Sequence, residues 1–154
     1  MSRVDIEHGP NATRAMTRDE MERFLEKCFY GKLGLAFQNE PYVVPVSYRY
    51  AKGKIFFHGA KQGKKIEFIK GNNRVCFEVD EWERPRAWAS VICYGTATLR
   101  EDIEAKKEWS EVLTDQKPSD EVIARLEKTN TYVGTIQIED MTGKCRADFS
   151  SQRQ

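Results

Sequence analysis

Several features are scarce in this 154-residue chain, and each absence argues against a class of protein. No apolar run is long enough to span a bilayer, and the polar start MSRVDIEHGPNATR lacks the hydrophobic stretch of a signal peptide. The formal net charge is +1, from 25 basic and 24 acidic residues, so no global field favours nucleic acid. We therefore expect a soluble, cytoplasmic protein that binds neither membranes nor nucleic acid.

Metal ligands and paired thiols are also sparse. The chain has only two histidines, His8 and His58, and its cysteines form no CxxC pair: Cys28, Cys76, Cys93 and Cys145. Neither a metal site nor a disulfide framework is expected from this pattern. The motifs GxGxxG and GxxxxGK[ST] are absent, which argues against a Rossmann or P-loop nucleotide site.

Short segments of alternating polarity, joined by turns, dominate the rest of the chain. We predict strands over 32–37, 42–50, 54–58, 74–80, 87–100, 131–141 and 144–149. We predict helices over 17–29, 64–70, 102–113 and 118–127, and an exposed loop over 81–86. This order predicts an antiparallel α+β domain, mainly β, over 17–154, which curls into a barrel and follows a partly ordered arm over 1–16.

Four local signals refine these elements. Thr17 and Glu20 match a capping box at a helix start. Pro45 lies within a strand pattern, so we expect it at a sheet edge or bulge. Gly71 is expected to end its helix in the left-handed conformation. Gly95 predicts a bulge or the close approach of another backbone.

Three lysines crowd the start of the helix predicted over 64–70. Lys61, Lys64 and Lys65 lie where a helix N-terminus already carries partial positive charge and unpaired N–H groups. Gly59 and Gly63 let the backbone approach a ligand closely. This pattern favours a phosphate-like anion, although lysines on a short surface helix are more often simply solvated.

The order of four motifs resembles a known family. EPYVVPVSYRY, GKIFFHGAKQGKKIEFI, NNRVCFEVD and WASVICYGTATLRED are similar to the flavin-binding split-barrel superfamily related to pyridoxamine 5′-phosphate oxidase. The branch it resembles most is that of the 5-nitroimidazole-resistance proteins. The resemblance spans 17–149 and implies a six-stranded antiparallel split barrel of Greek-key type with peripheral helices. It also implies a homodimer that binds FMN in a groove between the subunits.

The resemblance further implies which residues contact FMN. In chain order they are Pro45, Val46 and Ser47 at the isoalloxazine ring, Phe57 and His58 beneath the ribityl chain, Ala60 in the same FH-x-A motif, Lys64 and Lys65 at the phosphate, and Ser90 on a later strand. His58 is also the candidate catalytic residue, because its pKa allows proton transfer near neutral pH. Without the family resemblance, the residue pattern alone predicts that Ser47 and Ser90 are exposed strand residues. It also predicts that Phe57 belongs to the core and that His58 is half-buried.

The implied activity is that of an FMN-dependent oxidoreductase, which takes electrons from a small-molecule donor and passes them to a small acceptor such as a nitroaromatic compound. True oxidases of pyridoxamine phosphate carry a basic strand and a C-terminal tryptophan and arginine that this chain lacks, and their GAKQG-like turn is shorter. That oxidation is therefore not expected. Two alternatives remain open: a non-enzymatic flavin carrier or electron-transfer protein, and a haem- or deazaflavin-binding member with His58 or Cys93 as the axial ligand of a haem.

Overall fold

The computed structural model describes residues 13–146 as a mainly antiparallel β domain with four helices. Its elements are β1 (Thr13–Ala15), α1 (Arg18–Lys27), β2 (Tyr30–Phe37), β3 (Glu40–Ser47), β4 (Arg49–Ala51), β5 (Lys54–Ala60), α2 (Lys64–Gly71), β6 (Arg74–Arg84), β7 (Ala87–Arg100), α3 (Ile103–Thr114), α4 (Asp120–Glu127) and β8 (Thr131–Arg146). Among the described residues, no helix has the length and apolar character needed to cross a membrane. The predicted fold class, antiparallel α+β, is confirmed.

The strands form one sheet whose two ends are joined by a single extended segment. The order across the sheet is β3-β2-β6-β7-β8-β5-β4, and β1 adds to β8. β3 and β4 lie at opposite ends of this order, yet only Tyr48 separates them in the chain. The sheet therefore curls on itself. Counting β3 and β4 as one interrupted strand, and β1 as a short addition, leaves the six principal strands that were predicted.

Hydrophobic side chains fill two clusters on opposite sides of β5. Phe57 is fully buried in the main core inside the barrel, whereas its neighbour Phe56 packs in a smaller cluster with Trp109 of α3 and Val133 of β8. Successive residues of a strand point to opposite faces, so this pair serves both clusters. Each such side chain contributes about 1.5–3 kcal/mol through burial.

Tyr48 fixes the point where the strand is interrupted. Its side chain is fully buried, and its hydroxyl donates a hydrogen bond of 2.8 Å to the carbonyl of Leu25. Its backbone N–H donates to the carbonyl of Phe29 at 2.9 Å. Burial raises the pKa of the Tyr48 hydroxyl, which keeps the group protonated as a donor. The chain on either side of Tyr48 is thus held in place by two bonds to the end of α1 and the segment after it.

Three of the four local predictions are confirmed. Thr17 caps α1, and its side chain and that of Glu20 form the reciprocal bonds of a capping box. Pro45 lies in β3, an end strand of the sheet order. At Gly95 the pairing of β7 with β8 shifts register, and a Cβ there would overlap the backbone of Gln137.

The prediction for Gly71 is wrong. Gly71 is the last residue of α2, and the following residue, Asn72, is extended rather than left-handed. A Cβ on Gly71 would instead overlap the ring of Phe37. The glycine is therefore needed for close packing of α2 against β2, and not for its backbone conformation.

Two predicted interruptions of the sheet are also wrong. The segment 81–86 is not a loop throughout, because β6 continues to Arg84 and Trp82 stacks on Trp88 across the hairpin at 5.2 Å between ring centroids. No turn occurs at Gly143, since β8 runs unbroken from Thr131 to Arg146. A Cβ on Gly143 would lie 2.7 Å from Met21 Cγ, so this glycine makes room for α1.

Both chain ends fall partly outside the described residues. Of the predicted arm over 1–16, residues 1–12 are not described, and Thr13–Ala15 forms β1 against β8. Of the strand predicted over 144–149, the first three residues belong to β8 and the remainder is not described.

Candidate functional site

A groove of about 400 Å³ brings together three of the elements that sequence analysis selected. We call it the histidine groove, and its lining residues are Phe29, Tyr30, Ser47, Tyr48, Arg49, His58, Trp109 and Leu113. Most of the wall is aromatic or aliphatic. The polar side-chain groups include the Ser47 hydroxyl, the Arg49 guanidinium and the His58 imidazole. This is the composition of a site for a flat, mainly apolar molecule with a few oriented polar atoms.

The buried Tyr48 places the residues on either side of it toward the groove. Because successive strand residues alternate in direction, Ser47 and Arg49 lie on the outer side while Tyr48 points into the core. Arg49 pairs with Phe56 of β5 in the antiparallel register, and His58 follows two residues later on the same face. The groove thus forms where β3, β4 and β5 meet beneath α3.

His58 is held between an aromatic ring and a positive charge. Its ring lies over that of Trp109, with 5.0 Å between centroids and 36° between planes. Burial lowers the pKa of His58, and the nearby Lys65 ammonium lowers it further from the ordinary value of 6.5. The imidazole is therefore mainly neutral at pH 7.

The three lysines near α2 do not act as one cluster. Lys61 pairs with Glu101 at 3.3 Å. The Lys64 ammonium lies over the ring of Tyr42, 4.6 Å from its centroid. Lys65 is half-buried and within range of His58, and burial lowers its pKa. Within residues 13–146, no carboxylate forms an ion pair with Lys65.

The start of α2 fits an anion. Gly63, with φ of 132°, occupies the N-cap position and provides no side-chain hydrogen bond, so the first N–H groups of α2 have no side-chain acceptor. Lys65 brings an uncompensated charge to the same turn. Gly59 plays a different part from the one predicted, because it lies within β5 and a Cβ there would be 3.0 Å from the Tyr132 hydroxyl. A phosphate would supply the acceptor oxygens and the negative charge that this turn lacks.

The other predicted contacts divide into two groups. Ala60 is exposed at the end of β5, on the same face as His58, whereas the side chains of Val46 and Phe57 are buried in the main core and cannot line the groove. Pro45 is exposed on β3, on the same face as Ser47.

Ser90 lies apart from this set. It is half-buried on β7, paired with Asp80 of β6 and Lys144 of β8, and two strands, β2 and β6, separate β7 from β3. Strands lie about 4.8 Å apart, so three strand spacings, about 14 Å, separate Ser90 from β3 within one subunit.

Six residues that line the groove were not among the predicted site residues: Phe29, Tyr30, Tyr48, Arg49, Trp109 and Leu113. Arg49 is two residues after Ser47 in a strand of alternating polarity, and that signal alone would have placed it on the same face. Phe29 is the last residue of a predicted helix, and Trp109 lies within another. Neither residue could be assigned to the groove before the packing of the helices against the barrel was known.

A family model described as pyridoxamine 5′-phosphate oxidase matches residues 17–145 of this sequence. The chain belongs to the pyridoxamine 5′-phosphate oxidase family. The family resemblance predicted from the four motifs is therefore confirmed, and the matched residues include the whole of the histidine groove and α2.

Individual proteins are also similar to this chain. A FAD-binding protein from Mesorhizobium loti is 27% identical, with a TM-score of 0.70 over 86% of this chain and 97% of that one. A putative 5-nitroimidazole antibiotic resistance protein from Bacteroides thetaiotaomicron is 23% identical, with a TM-score of 0.69 over 88% of each chain, and shows the same fold. An uncharacterized protein from Rhizobium meliloti is 26% identical over 82 residues, 53% of this chain and only 54% of that protein's length.

Proposed function

We propose that this protein binds FMN and acts as an oxidoreductase, reducing a small acceptor such as a nitroaromatic compound with electrons from a small-molecule donor. The observation that carries the proposal is the uncapped start of α2 with the unpaired Lys65 beside it, next to a flat-walled groove that contains His58. The similarity to a FAD-binding protein supports a flavin as the ligand.

The phosphate would be held by Lys65 and the first backbone N–H groups of α2. Lys64 belongs to the predicted pair, but its ammonium is engaged with Tyr42 and Phe68. We therefore assign the main electrostatic contact to Lys65 alone. Hydrogen bonds that involve a charged partner are worth about 1.5–3 kcal/mol, which corresponds to about 10- to 100-fold in affinity.

The ring would lie in the histidine groove. A bound flavin supplies two-electron redox chemistry that no side chain here can provide. The protein's part is to orient the ring with backbone groups around Pro45 and Ser47 on the end strand β3, and to exclude water with Trp109 and Phe29. The side chains of Val46 and Phe57 contribute only by shaping the core beneath.

His58 would supply a proton to the reduced acceptor. Reduction of a nitro group to a nitroso group consumes two electrons and two protons and releases one water. The imidazole is mainly neutral at pH 7 because burial and the Lys65 charge lower its pKa. A phosphate bound at Lys65 would offset that charge and raise the pKa of His58, so the proton donor becomes available when the cofactor is in place.

We also propose that the protein is a homodimer. Ser90 is one of the contacts that the resemblance implies, and it is not among the residues that line the histidine groove of one subunit. A second subunit would supply it. Tyr30 and Phe29, which are 70% and 53% exposed at the groove, would then become covered.

The test is the visible absorption spectrum of the purified protein during titration with FMN and, separately, with FAD. We expect a two-band flavin spectrum with tighter binding of FMN. Lys65→Ala should weaken FMN binding about 10- to 100-fold, while the matched variant Lys64→Ala changes it little. Equal effects of the two variants would contradict the assignment of the phosphate to Lys65, and no flavin binding would overturn the proposed function.

Turnover separates the enzyme from the alternatives. After anaerobic reduction the flavin spectrum should recover when a nitro compound is added, whereas a carrier closed to substrates would stay reduced. A sharp Soret band would instead indicate haem. Cys93 is fully buried inside the barrel, which argues against it as a haem ligand and leaves His58 as the candidate ligand.

A further inference from the structure

The histidine groove carries positive charge without a compensating acid. Arg49 and His58 line it and Lys65 lies close to His58, whereas none of the described residues that line it is an aspartate or glutamate. The chain contains 24 acidic residues, so acidic side chains are not scarce in its composition. The phosphate in the proposed function accounts for Lys65. It leaves the guanidinium of Arg49 unexplained.

Arg49 is held rigidly, with most of its donors unused. Its Nη1 donates one hydrogen bond of 2.9 Å to the carbonyl of Tyr48, and its guanidinium lies 5.7 Å from the ring centroid of Phe29. A guanidinium has five N–H donors in a planar fork that matches a carboxylate. No carboxylate within residues 13–146 forms an ion pair with it. The side chain is thus oriented by neutral contacts while its charge remains available to a ligand.

Arg49 is separated from the start of α2 along β5. It pairs with Phe56, whereas α2 follows after Ala60, the last residue of that strand. Four residues of a strand span about 13 Å. His58 lies between these two positions on β5, and its ring lies over that of Trp109. A phosphate at the start of α2 would therefore leave Arg49 available to a different anionic group.

We infer that Arg49 anchors the acceptor through a carboxylate, so that the groove selects small aromatic acids over neutral compounds of the same shape. This inference rests on the proposed function and names the substrate class of the same groove. The aromatic walls formed by Phe29, Tyr30 and Trp109 suit a flat ring, and the fork of Arg49 suits a planar acid at its edge. His58 would then lie beside the ring.

The experiment compares 4-nitrobenzoate with 4-nitrobenzamide, which share a ring and a nitro group and differ in charge. Binding to the FMN-loaded protein is measured from the change in flavin absorbance, and turnover is measured from the loss of the nitro compound. We expect the benzoate to bind and react about 10- to 100-fold better than the amide, as a charge-assisted contact would give.

Three variants locate the effect. Arg49→Gln should abolish the preference for the benzoate, because the benzoate loses its charged partner and the neutral amide has none to lose. Arg49→Lys should restore part of the preference, because a lysine keeps the charge and loses the fork. Arg125→Gln removes an exposed charge on α4 and should change neither ligand. Thermal unfolding of each variant checks that it folds.

Several results would overturn the inference. The inference fails if the unaltered protein binds the two compounds equally. It also fails if Arg49→Gln weakens the binding of both compounds to the same extent. Weaker FMN binding in Arg49→Gln would show that Arg49 holds the flavin instead. If the protein binds no flavin, the proposed function fails, and calorimetric titration of the flavin-free protein with the same two compounds still decides whether Arg49 selects an acid.

Discussion

Two of the grooves formed by residues 13–146 differ in their chemistry, and the larger of the two carries few polar groups. A shallow depression of about 660 Å³, here called the sheet groove, crosses the outer face of β2, β3, β6 and β7. Its lining residues are Gly34, Leu35, Ala36, Pro41, Tyr42, Val43, Arg74, Val75, Cys76 and Tyr94. The one charged side chain in that lining, Arg74, forms an ion pair with Glu139. The histidine groove is smaller, yet it holds an arginine and a histidine that form no ion pair with any acid among the described residues.

The difference arises from how each groove is built. The sheet groove lies on neighbouring strands of one sheet, where an exposed side chain such as Val43 follows from alternation alone. The histidine groove requires β3, β4, β5 and α3 to meet, with Tyr48 locking the point of interruption. Arg74 of the sheet groove is neutralised by Glu139, whereas Arg49 of the histidine groove forms no ion pair with a carboxylate of residues 13–146. A site is therefore better indicated by the charges that stay unpaired than by its volume.

Among the variants that compare the two grooves, removal of an aromatic side chain from each should give the largest difference in stability. Trp109 is 8% exposed and packs on Phe56 and Val133, whereas Tyr94 of the sheet groove is 41% exposed. Trp109→Ala should lower the free energy of unfolding by about 3–5 kcal/mol, and Tyr94→Ala by less than about 1 kcal/mol. Urea denaturation of both variants measures the difference. Similar losses of stability in the two variants would mean that both aromatic side chains contribute equally to the folded state. That result would contradict the contrast between the two grooves.

A smaller loss of stability should follow from removal of the Tyr48 hydroxyl. Tyr48→Phe leaves the buried carbonyl of Leu25 without its donor, which costs about 1–3 kcal/mol. Tyr50→Phe is the matched control, because its hydroxyl bonds Glu22 in a half-buried position and its loss should cost less. Denaturation compares the two. If Tyr50→Phe were the more damaging, Tyr48 would not be the fixed point of the groove.

Electrostatic coupling in the histidine groove can be tested without any cofactor. Lys65→Met should raise the pKa of His58, because it removes the ammonium that lowers it. Lys64→Met should leave that pKa unchanged, since the Lys64 ammonium lies over Tyr42. Nuclear magnetic resonance titration of the imidazole protons measures both. A raised pKa means that His58 is protonated at a higher pH, so a step that needs the imidazolium should persist to higher pH in Lys65→Met.

The smallest effect is expected in the sheet groove. Val43→Thr changes a side chain that is 66% exposed and lies in the lining of the sheet groove. The affinity for FMN should stay within about twofold, as for an ordinary surface substitution. Titration with FMN provides the measurement. A clear loss of affinity would show that the sheet groove contributes to the cofactor site and would overturn the contrast between the two grooves.

Local signals in the sequence predicted the elements well. The capping residues Thr17 and Asp102 and the limits of β7, Ala87–Arg100, were all readable, because caps and alternation depend on neighbours in the chain. Predictions failed at glycines that allow close packing against residues distant in the sequence. Gly71 faces Phe37 and Gly143 faces Met21, and no pattern in the sequence reveals such partners.

The candidate site was only partly predictable for a similar reason. The motifs selected the stretch around His58 and Lys65, but the family pattern does not state which way each side chain points. Val46 and Phe57 turn inward, and Lys64 turns toward Tyr42. Arg49 and Trp109 entered the groove only through tertiary packing. Adjacent positions in a motif can thus differ completely in what they contact.

The interruption at Tyr48 also has a kinetic consequence. The groove draws its walls from residues 29–58 and 109–113, and β8 must pair with both β5 and β7 before these segments meet. Contacts between distant parts of a chain form slowly, on the millisecond-to-second scale for β-rich domains. The groove therefore cannot exist until the barrel closes. A ligand that binds there can stabilise the finished protein, but it has nothing to bind during the early steps of folding.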